Sequence, residues 1–261
     1  MRYTRQGVTL EYDDIGNGLP LVLLHAFPLD RTLWRSQIAG LQHVYRVIAP
    51  DLRGFGNSSD TDGEAVSMDQ YAADVKALLD SLNVSQVVMG GLSMGGYVAL
   101  AFYANYPDRV KGLLLANTRA TADSPEGKQT RLDNARKVSE AGPFFLFEAM
   151  APNLLGATAR LELQVGVRGM MSRQHRSGIM SALRGMAARP DRTSLLRFAT
   201  VPALIITGSA DALIPPSDSE VMHALIPDST LVVLPEAGHL SNVDKADAFN
   251  DAVRAFHLRL S

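Results

Sequence analysis

Gly91-Leu92-Ser93-Met94-Gly95 is the most informative motif in this sequence. The apolar run at residues 84–89 before it predicts a buried strand, and the pattern at residues 97–106 after it predicts a helix. A serine in G-x-S-x-G between a strand and a helix lies on a sharp, strained turn that holds its hydroxyl clear of the sheet. Glycines two positions to either side leave space where a side chain would collide with neighbouring backbone. In this context the pattern predicts a nucleophilic serine rather than a glycine-rich packing turn.

Short apolar runs alternate with helical patterns on both sides of this turn. Runs that are apolar on both faces are typical of strands buried inside a parallel sheet. Residues 8–12 alternate between apolar and polar, which predicts an antiparallel edge strand. Strands and helices in alternation predict an α/β fold with a mostly parallel, doubly wound sheet. The predicted buried strands are residues 21–24, 45–49, 84–89, 110–116, 203–207 and 230–234, and the helices of the core include residues 68–82 and 243–258.

Residues 121–189 interrupt this alternation, because they carry helical patterns and no strand pattern. We therefore divide the chain into an α/β core, residues 1–120 and 190–261, and an inserted helical cap, residues 121–189, with helices at 126–141, 143–150, 158–171 and 173–187. Ten Lys and Arg against six Asp and Glu give the insertion a net charge of +4. It is either a subdomain with a small core of its own or a cover over a binding cleft. We favour the cover, with substrate contacts from its apolar residues Phe144, Phe145, Met150, Met170 and Met171.

The composition excludes several classes of protein. The sequence of 261 residues contains no cysteine, which excludes disulfides, thiolate metal sites and cysteine nucleophiles. A net charge of −2 gives no reason to expect a nucleic acid or a membrane surface as a partner. Residues 1–14 lack the apolar region of a signal peptide, and no uncharged apolar run is long enough to span a membrane. We expect a cytoplasmic enzyme for a small molecule, with no cofactor and no metal, and the sequence does not predict its oligomeric state.

A serine hydroxyl needs an adjacent base that is itself oriented by a third group. Among six histidines, His239 is predicted as the base because it follows the last strand at the carboxyl edge of the sheet, where catalytic groups of open α/β sheets collect. Asp211 follows the strand at 203–207 at the same edge and gives the order Ser, Asp, His. Asp218 and Asp228 lie further from a strand end. The sequence therefore predicts a catalytic triad of Ser93, Asp211 and His239.

Acyl transfer also needs N–H donors for the oxyanion that develops in the transition state. One predicted donor is the backbone N–H of Met94, directly after the serine. The other is the backbone N–H of Phe27, on the loop after the strand at 21–24, because Pro28 has no N–H. His25 on this loop is either an alternative base or a structural brace, and we favour the brace.

The motifs occur in a fixed order that covers both halves of the core. They are His25-Ala-Phe-Pro-Leu-Asp30, Asp51-Leu-Arg-Gly-Phe-Gly-Asn-Ser58, Gly91-Leu-Ser-Met-Gly95, Gly208-Ser-Ala-Asp211 and Gly238-His239. Together they resemble the α/β-hydrolase superfamily, and in particular bacterial carboxylesterases, 3-oxoadipate enol-lactonases and cofactor-free perhydrolases. The resemblance implies a helical cap over the active site at residues 121–189 and a structural role for the loop at 51–58. Ala26 stands where the family usually has glycine.

The leading functional hypothesis is hydrolysis of a small carboxylic ester through an acyl-serine intermediate. A lactonase or a perhydrolase that uses the same triad is the alternative, and a small-molecule receptor with slow turnover is a third. A haloalkane dehalogenase is disfavoured, because its nucleophile would be a carboxylate in the place of Ser93. Arg119 is expected to pair with Asp123 rather than to bind a substrate carboxylate. The expected substrate is a small ester or lactone.

Overall fold

The core of the protein is one eight-stranded sheet, and the structure, a computed structural model, describes residues 1–260. The strands lie in the order β1-β2-β4-β3-β5-β6-β7-β8. All neighbours from β4 to β8 pair in parallel, whereas β1 pairs with β2 and β2 with β4 in antiparallel fashion. The predicted mostly parallel α/β sheet is confirmed. The strands are β1 (Arg2–Arg5), β2 (Val8–Ile15), β3 (Leu19–Leu24), β4 (Tyr45–Pro50), β5 (Val87–Leu92), β6 (Val110–Ala116), β7 (Ala203–Gly208) and β8 (Ser229–Leu234).

The two strands β5 and β7 are buried at every residue, as expected for strands covered on both faces. β5 begins at Val87, three residues later than predicted. The guanidinium of Arg109 donates to the carbonyls of Val84 and Ser85, at 2.7 and 2.6 Å. These carbonyls bind a side chain instead of a neighbouring strand, so the apolar run extends beyond the strand at its start.

The antiparallel edge of the sheet differs from the prediction. Residues 8–12 were expected at the edge, but β2 pairs on both sides, and β1 is the edge strand. β1 is four residues long and contains two arginines, Arg2 and Arg5, so it has no apolar alternation for a sequence pattern to detect. Short, charged edge strands are typical of natural sheets, because they discourage pairing with other chains.

The helices of the core pack as neighbouring pairs, α1 with α11 and α2 with α3. No helix within residues 1–260 has both the length and the apolar character needed to cross a bilayer. Two short helices, α1 and α8, had no counterpart in the sequence prediction. The helices are α1 (Arg35–Leu41), α2 (Met68–Ser81), α3 (Met94–Asn105), α4 (Pro125–Ala141), α5 (Phe144–Met150), α6 (Leu161–Ser172), α7 (Arg176–Ala187), α8 (Thr193–Arg197), α9 (Pro216–Leu225), α10 (Ser241–Asp244) and α11 (Ala246–His257).

The insertion, residues 121–189, contains the four helices α4 to α7 and connects β6 to its neighbour β7. Its two ends meet, because the N–H of Arg192 donates to the carbonyl of Ala120 at 2.9 Å. Within it α4 packs against α7. The helix predicted at 158–171 begins only at Leu161, since a turn closed by the hydrogen bond from Ala159 N–H to Gly156 O precedes it.

The last helix of the insertion, α7, lies directly on the loop that follows β4. A Cβ on Gly178 would lie 1.8 Å from the carbonyl oxygen of Gly54, and one on Gly185 would lie 1.8 Å from that of Val66. Only glycine permits backbones to approach so closely. The insertion is therefore in close contact with the core and does not extend away from it.

Candidate active site

Ser93 lies at the turn between β5 and α3, in a backbone conformation that side-chain-bearing residues rarely adopt. Its φ is 55° and its ψ is −115°, which matches the strained turn that the sequence predicts. Two hydrogen bonds to the backbone of Ser93 hold this turn. Ser93 N–H donates to Ala116 O at 3.0 Å, and the hydroxyl of Thr118 donates to Ser93 O at 2.8 Å. A Cβ on Gly91 would lie 2.1 Å from the carbonyl oxygen of Gly95, so the first glycine of the motif is sterically required.

His239 and Asp211 form a buried hydrogen-bonded pair. Nδ1 of His239 lies 2.9 Å from Oδ2 and 3.1 Å from Oδ1 of Asp211. Asp211 Oδ1 also accepts from the N–H groups of Leu213 and Ile214, at 2.9 and 3.0 Å. Because an ionised carboxylate only accepts, Nδ1 carries the proton, and Nε2 is left with a free lone pair. This is the arrangement that a general base requires.

The environment of Asp211 favours its ionised form. Burial by itself would raise the pKa of this carboxyl, but the hydrogen bond from His239 and those from the backbone and Asn117 lower the pKa below its ordinary value. For Asp218, by contrast, burial raises the pKa, and the negative charge of Asp211 adds to this effect. Of the carboxylates considered from the sequence, Asp211 is the one in contact with His239.

Asn117 is a site residue that the sequence did not identify. Its side-chain amide donates to Asp211 Oδ2 at 2.9 Å and to Gly238 O at 3.3 Å, and its oxygen accepts from the buried hydroxyl of Ser241. Its φ of 44° is in the left-handed region, where asparagine is enriched among residues other than glycine. Asn117 thus connects Asp211, through hydrogen bonds, to the loop that carries His239. The only signal in the sequence was its place directly after β6, at the carboxyl edge of the sheet.

The three predicted triad residues emerge at one edge, on strands that are neighbours or nearly so. Ser93 follows β5, Asp211 follows β7 and His239 follows β8. Among residues 1–260 no hydrogen bond joins the Ser93 hydroxyl to His239. Catalytic hydrogen bonds are often long in ligand-free enzymes and shorten when substrate binds. We therefore expect the Ser93 hydroxyl and His239 to come into contact when substrate binds.

The predicted oxyanion donors lie on two segments that touch each other. Met94 is the first residue of α3, where N–H groups have no partner within the helix. A Cβ on Gly95 would lie 2.1 Å from the carbonyl oxygen of Leu24 and 2.9 Å from that of His25, so the loop carrying Phe27 begins beside this helix. Ala26, the departure from the family pattern, is fully buried. Met94 N–H therefore lies at the serine turn, and the loop that carries Phe27 starts beside it.

His25 is a brace within this loop. Its Nε2 accepts from the N–H of Leu52 at 3.0 Å, and its Nδ1 lies 3.0 Å from the carbonyl of Ala26. Burial lowers the pKa of the imidazole. Because both ring nitrogens are engaged, His25 has no lone pair free for Ser93.

The loop at 51–58 is likewise organised by its own polar groups. The Asp51 carboxylate, which is fully buried, accepts from the N–H groups of Arg31 and Asn57 at 2.7 and 2.8 Å and forms an ion pair with the Arg31 guanidinium. The hydroxyl of Ser58 donates to the carbonyl of Asp51 at 2.7 Å. These contacts give the loop a structural role, as the resemblance implied.

A second carboxylate, Asp30, joins the predicted oxyanion loop, residues 25–30 after β3, to the insertion. It is 1 % exposed and accepts two hydrogen bonds from Arg173, at 2.7 and 2.8 Å, and one from the amide of Gln174 at 2.9 Å. Burial would raise the pKa of this carboxyl, but these hydrogen bonds and those from Thr32 lower it to about 2. Arg173 and Gln174 lie between α6 and α7. The insertion therefore holds the end of the oxyanion loop through a buried charge.

The predicted substrate contacts of the insertion differ in exposure. Met171 is fully buried and Met170 is 9 % exposed, both within the hydrophobic core, and Phe145 and Met150 pack against that core. Phe144 requires a correction, because 71 % of it is exposed to solvent at the start of α5, so it does not line an enclosed pocket. The sequence could not distinguish it from the apolar residues that follow it, of which Leu146 and Phe147 face inward.

Arg119 forms an ion pair, as expected. Its guanidinium donates to Asp123 at 2.7 Å. The same carboxylate accepts from Arg131 at 2.6 Å and from Arg189 at 2.7 and 2.9 Å. Burial would raise the pKa of Asp123, but these arginines lower it strongly. Arg189 also lies 4.1 Å from the ring centroid of Tyr97.

Known proteins are similar to this chain in sequence and in fold. The sequence model of the family described as alpha/beta hydrolase fold matches residues 20–246. The chain is 31 % identical over 265 residues to 3-oxoadipate enol-lactonase 2 of Acinetobacter baylyi, with 99 % of this chain and 96 % of that protein covered. A thermophilic esterase from Thermogutta terrifontis has a TM-score of 0.96 at 40 % identity, covering 100 % of this chain and 99 % of its own. The enol-lactonase from Burkholderia xenovorans has a TM-score of 0.89 at 28 % identity, covering 98 % and 99 %.

A serine on a strand-to-helix turn, at the carboxyl edge of a mostly parallel sheet and near a buried histidine–aspartate pair, defines a class of hydrolytic enzymes. The match to the family and the likeness over the whole chain agree with that class. The chain belongs to the α/β-hydrolase family and is a hydrolase.

Proposed function

We propose that the protein is a serine esterase that cleaves a small carboxylic ester through an acyl-serine intermediate. Ser93 is the nucleophile, His239 the general base and Asp211 the acid that orients it. The observation that carries this proposal is the buried contact between His239 Nδ1 and the Asp211 carboxylate, 2.9 Å long, at the sheet edge where Ser93 stands in its strained turn. A protonated Nδ1 leaves Nε2 to accept the serine proton.

The reaction follows from these assignments. Ser93 Oγ attacks the ester carbonyl carbon while its proton passes to His239 Nε2, and the N–H groups of Met94 and Phe27 stabilise the oxyanion. The tetrahedral intermediate collapses, and the alcohol leaves with the proton from His239. Water then attacks the acyl-serine in the same way, which releases the acid and regenerates the hydroxyl. The Asp211 carboxylate remains ionised and stabilises the imidazolium in both halves.

The insertion is the proposed cap over this site. Its support is the pair of anchors described above, Asp30 with Arg173 and the glycine contact between α7 and the core. A cover of this kind excludes water from the reaction and encloses the substrate. Its buried and half-buried apolar residues Phe145, Met150, Met170 and Met171 are the proposed contacts for the acyl or alcohol group.

The test of the assignment is Ser93→Ala. We expect the variant to lose hydrolysis of p-nitrophenyl acetate and to lose covalent labelling by a fluorophosphonate, while circular dichroism shows it folded. Ser36→Ala, at an exposed serine outside the site, is the control and should behave as wild type. Stoichiometric labelling of Ser93→Ala would overturn the assignment.

A lactone is the second candidate substrate, because a curated relative and a solved structure similar to this chain are both named enol-lactonases. The same attack of Ser93 on a ring ester opens the lactone and keeps the alcohol attached to the acid. The ratio of kcat/KM for an enol-lactone to that for a p-nitrophenyl ester separates the two candidates.

A further inference from the structure

The loop that carries His239 is held to the insertion by one carboxylate, that of Asp244 at the end of α10. Its Oδ2 accepts from the N–H of Gly238 at 2.7 Å and from the N–H of Gly156 at 2.8 Å. Gly238 directly precedes His239, and Gly156 lies between α5 and α6 of the insertion. A single oxygen therefore joins the two segments.

A second hydrogen bond fixes the other side of the histidine. The N–H of Leu240 donates to the carbonyl of Leu154 at 2.8 Å. Both chain neighbours of His239 are thus held, Gly238 through Asp244 and Leu240 through the insertion itself. The position of the imidazole along this loop depends on residues 154–156.

The two segments also touch without any side chain between them. A Cβ on Gly238 would lie 2.5 Å from the carbonyl carbon of Leu155, and one on Gly156 would lie 2.2 Å from the carbonyl oxygen of Glu236. Backbone at this distance is possible only with glycine at both positions. The two glycines and the shared acceptor oxygen of Asp244 therefore fix how these two segments pack against each other.

We propose that Asp244 is a positioning residue, which holds Gly238 and Gly156 together so that the insertion sets the place of the His239 ring relative to Ser93. The inference rests on the proposed function, since it assigns His239 as the base. It gives the insertion a role in catalysis that is separate from contact with substrate. Displacement of a catalytic group by about 1 Å can lower the rate about 10²-fold.

Asp244→Ala leaves two N–H groups without their acceptor, so we expect kcat to fall by about 10- to 100-fold with KM changed by less than about threefold. Asp244→Asn keeps an oxygen that can accept both N–H groups, and it should retain kcat within about fivefold of wild type. Asp251→Ala is the control, because this carboxylate is exposed on α11 and pairs with Arg254 alone.

The glycines give an independent, matched pair of variants. Gly156→Ala introduces the clash with Glu236 and should lower kcat as Asp244→Ala does. Gly166→Ala lies in α6 of the same insertion, where a Cβ would meet nothing within 4 Å, and it should leave kcat unchanged.

The concentration of active sites that react is measured first, and the rates are measured afterwards. The burst from a p-nitrophenyl ester gives the fraction of molecules with a reactive Ser93, and kcat is expressed per reactive site, so partial unfolding does not imitate loss of positioning. The hydrogen-bonded Nδ1–H proton of His239, followed by ¹H NMR, should shift or broaden in Asp244→Ala and not in Asp251→Ala.

The outcomes separate the two proposals. A wild-type protein that shows no burst and no fluorophosphonate labelling would contradict the proposed function itself. An active wild type, with Asp244→Ala and Gly156→Ala equal to it in kcat per reactive site, would overturn only the positioning role. Equal losses in Asp244→Ala and Asp244→Asn would also overturn it, because the shared acceptor oxygen would not be what matters.

Discussion

The Asp211 carboxylate is buried and ionised, and three kinds of hydrogen-bond donor surround it. They are the His239 imidazole, two backbone N–H groups and the Asn117 amide. Asp211→Asn replaces one acceptor oxygen with an amide that donates, so the His239 ring is driven towards the wrong tautomer. We expect kcat to fall by about 10⁴-fold, as in the best-studied triad. Steady-state kinetics with p-nitrophenyl acetate measures the effect.

Asp218→Asn and Asp228→Asn are the controls for this prediction. Asp218 lies 4.0 Å from Arg119, and Asp228 pairs with Arg259. Neither contacts His239, so both variants should keep kcat within a few fold of wild type. Near-normal kinetics for Asp211→Asn, together with a large loss in either control, would show that the acid has been misassigned.

At the scale of residues, the sequence located groups whose chemistry and place in the chain coincide. Ser93 was recognisable from its motif, and His239 and Asp211 from their positions after strands at the sheet edge. Asn117 was not recognisable, because nothing in a sequence tells which carboxylate an amide will meet across 94 residues of chain. Asp244 was not recognisable for the same reason, since one of its two partners, Gly156, lies 88 residues away in the sequence.

At the scale of elements, the junction between the oxyanion loop and the insertion gives stability that depends on pH. Asp30 has its pKa lowered from 3.8 to about 2 in the folded protein. A lowered pKa means stabilisation that is present above pH 3.8 and is lost as pH falls through about 2. The shift corresponds to about 2 kcal/mol. Asp30→Asn should therefore be less stable than wild type at pH 7, and the difference should shrink below pH 4.

Urea unfolding of both proteins at several pH values between 7 and 2 measures this difference. The comparison isolates Asp30, because the other acidic groups, including Asp123, titrate in wild type and variant alike. Asp251→Asn, at an exposed carboxylate, should show no such dependence on pH. A gap between wild type and Asp30→Asn that is the same at every pH would contradict the stabilising role of this charge.

The sequence predicted long elements better than short ones. The six predicted apolar strands and the four helices of the insertion were recognisable because apolar periodicity repeats over enough residues to be read. The prediction that residues 230–234 are buried was wrong, because β8 is an edge strand and only its last residue is buried. β1 and α1 were missed, since four to seven residues give little periodicity. The late start of β5 could not be predicted either, because it depends on Arg109, a side chain from after α3.

At the scale of the whole molecule, the balance of apolar and charged groups over the site predicts the substrate preference. The apolar residues of the insertion favour acyl chains of a few carbons, by about 0.8 kcal/mol for each methylene buried, until the closed pocket is full. Arg119, three residues beyond the end of β6, is already paired with Asp123. We therefore expect short-chain neutral esters to react faster than long-chain esters and faster than substrates that carry a carboxylate.

The measurement compares kcat/KM for p-nitrophenyl acetate, butyrate and octanoate with that for an anionic enol-lactone, at low and high salt. Attraction of an anion by the net charge of the insertion would weaken as salt increases. If the lactone reacts faster than the esters by orders of magnitude and loses that advantage in high salt, the protein is a dedicated lactonase.

The hydrogen bond between Ala120 and Arg192 has a consequence for how such an enzyme diversifies. Because the chain leaves the sheet and returns to it at one point, we expect residues 121–189 to be exchangeable as one segment without altering the register of β6 and β7. Recombination between relatives, or grafting in the laboratory, would then change the specificity in one step. The donor segment must carry a glycine at the position of Gly156, because a side chain there would clash with the backbone of Glu236 and disturb the contact that holds the His239 loop.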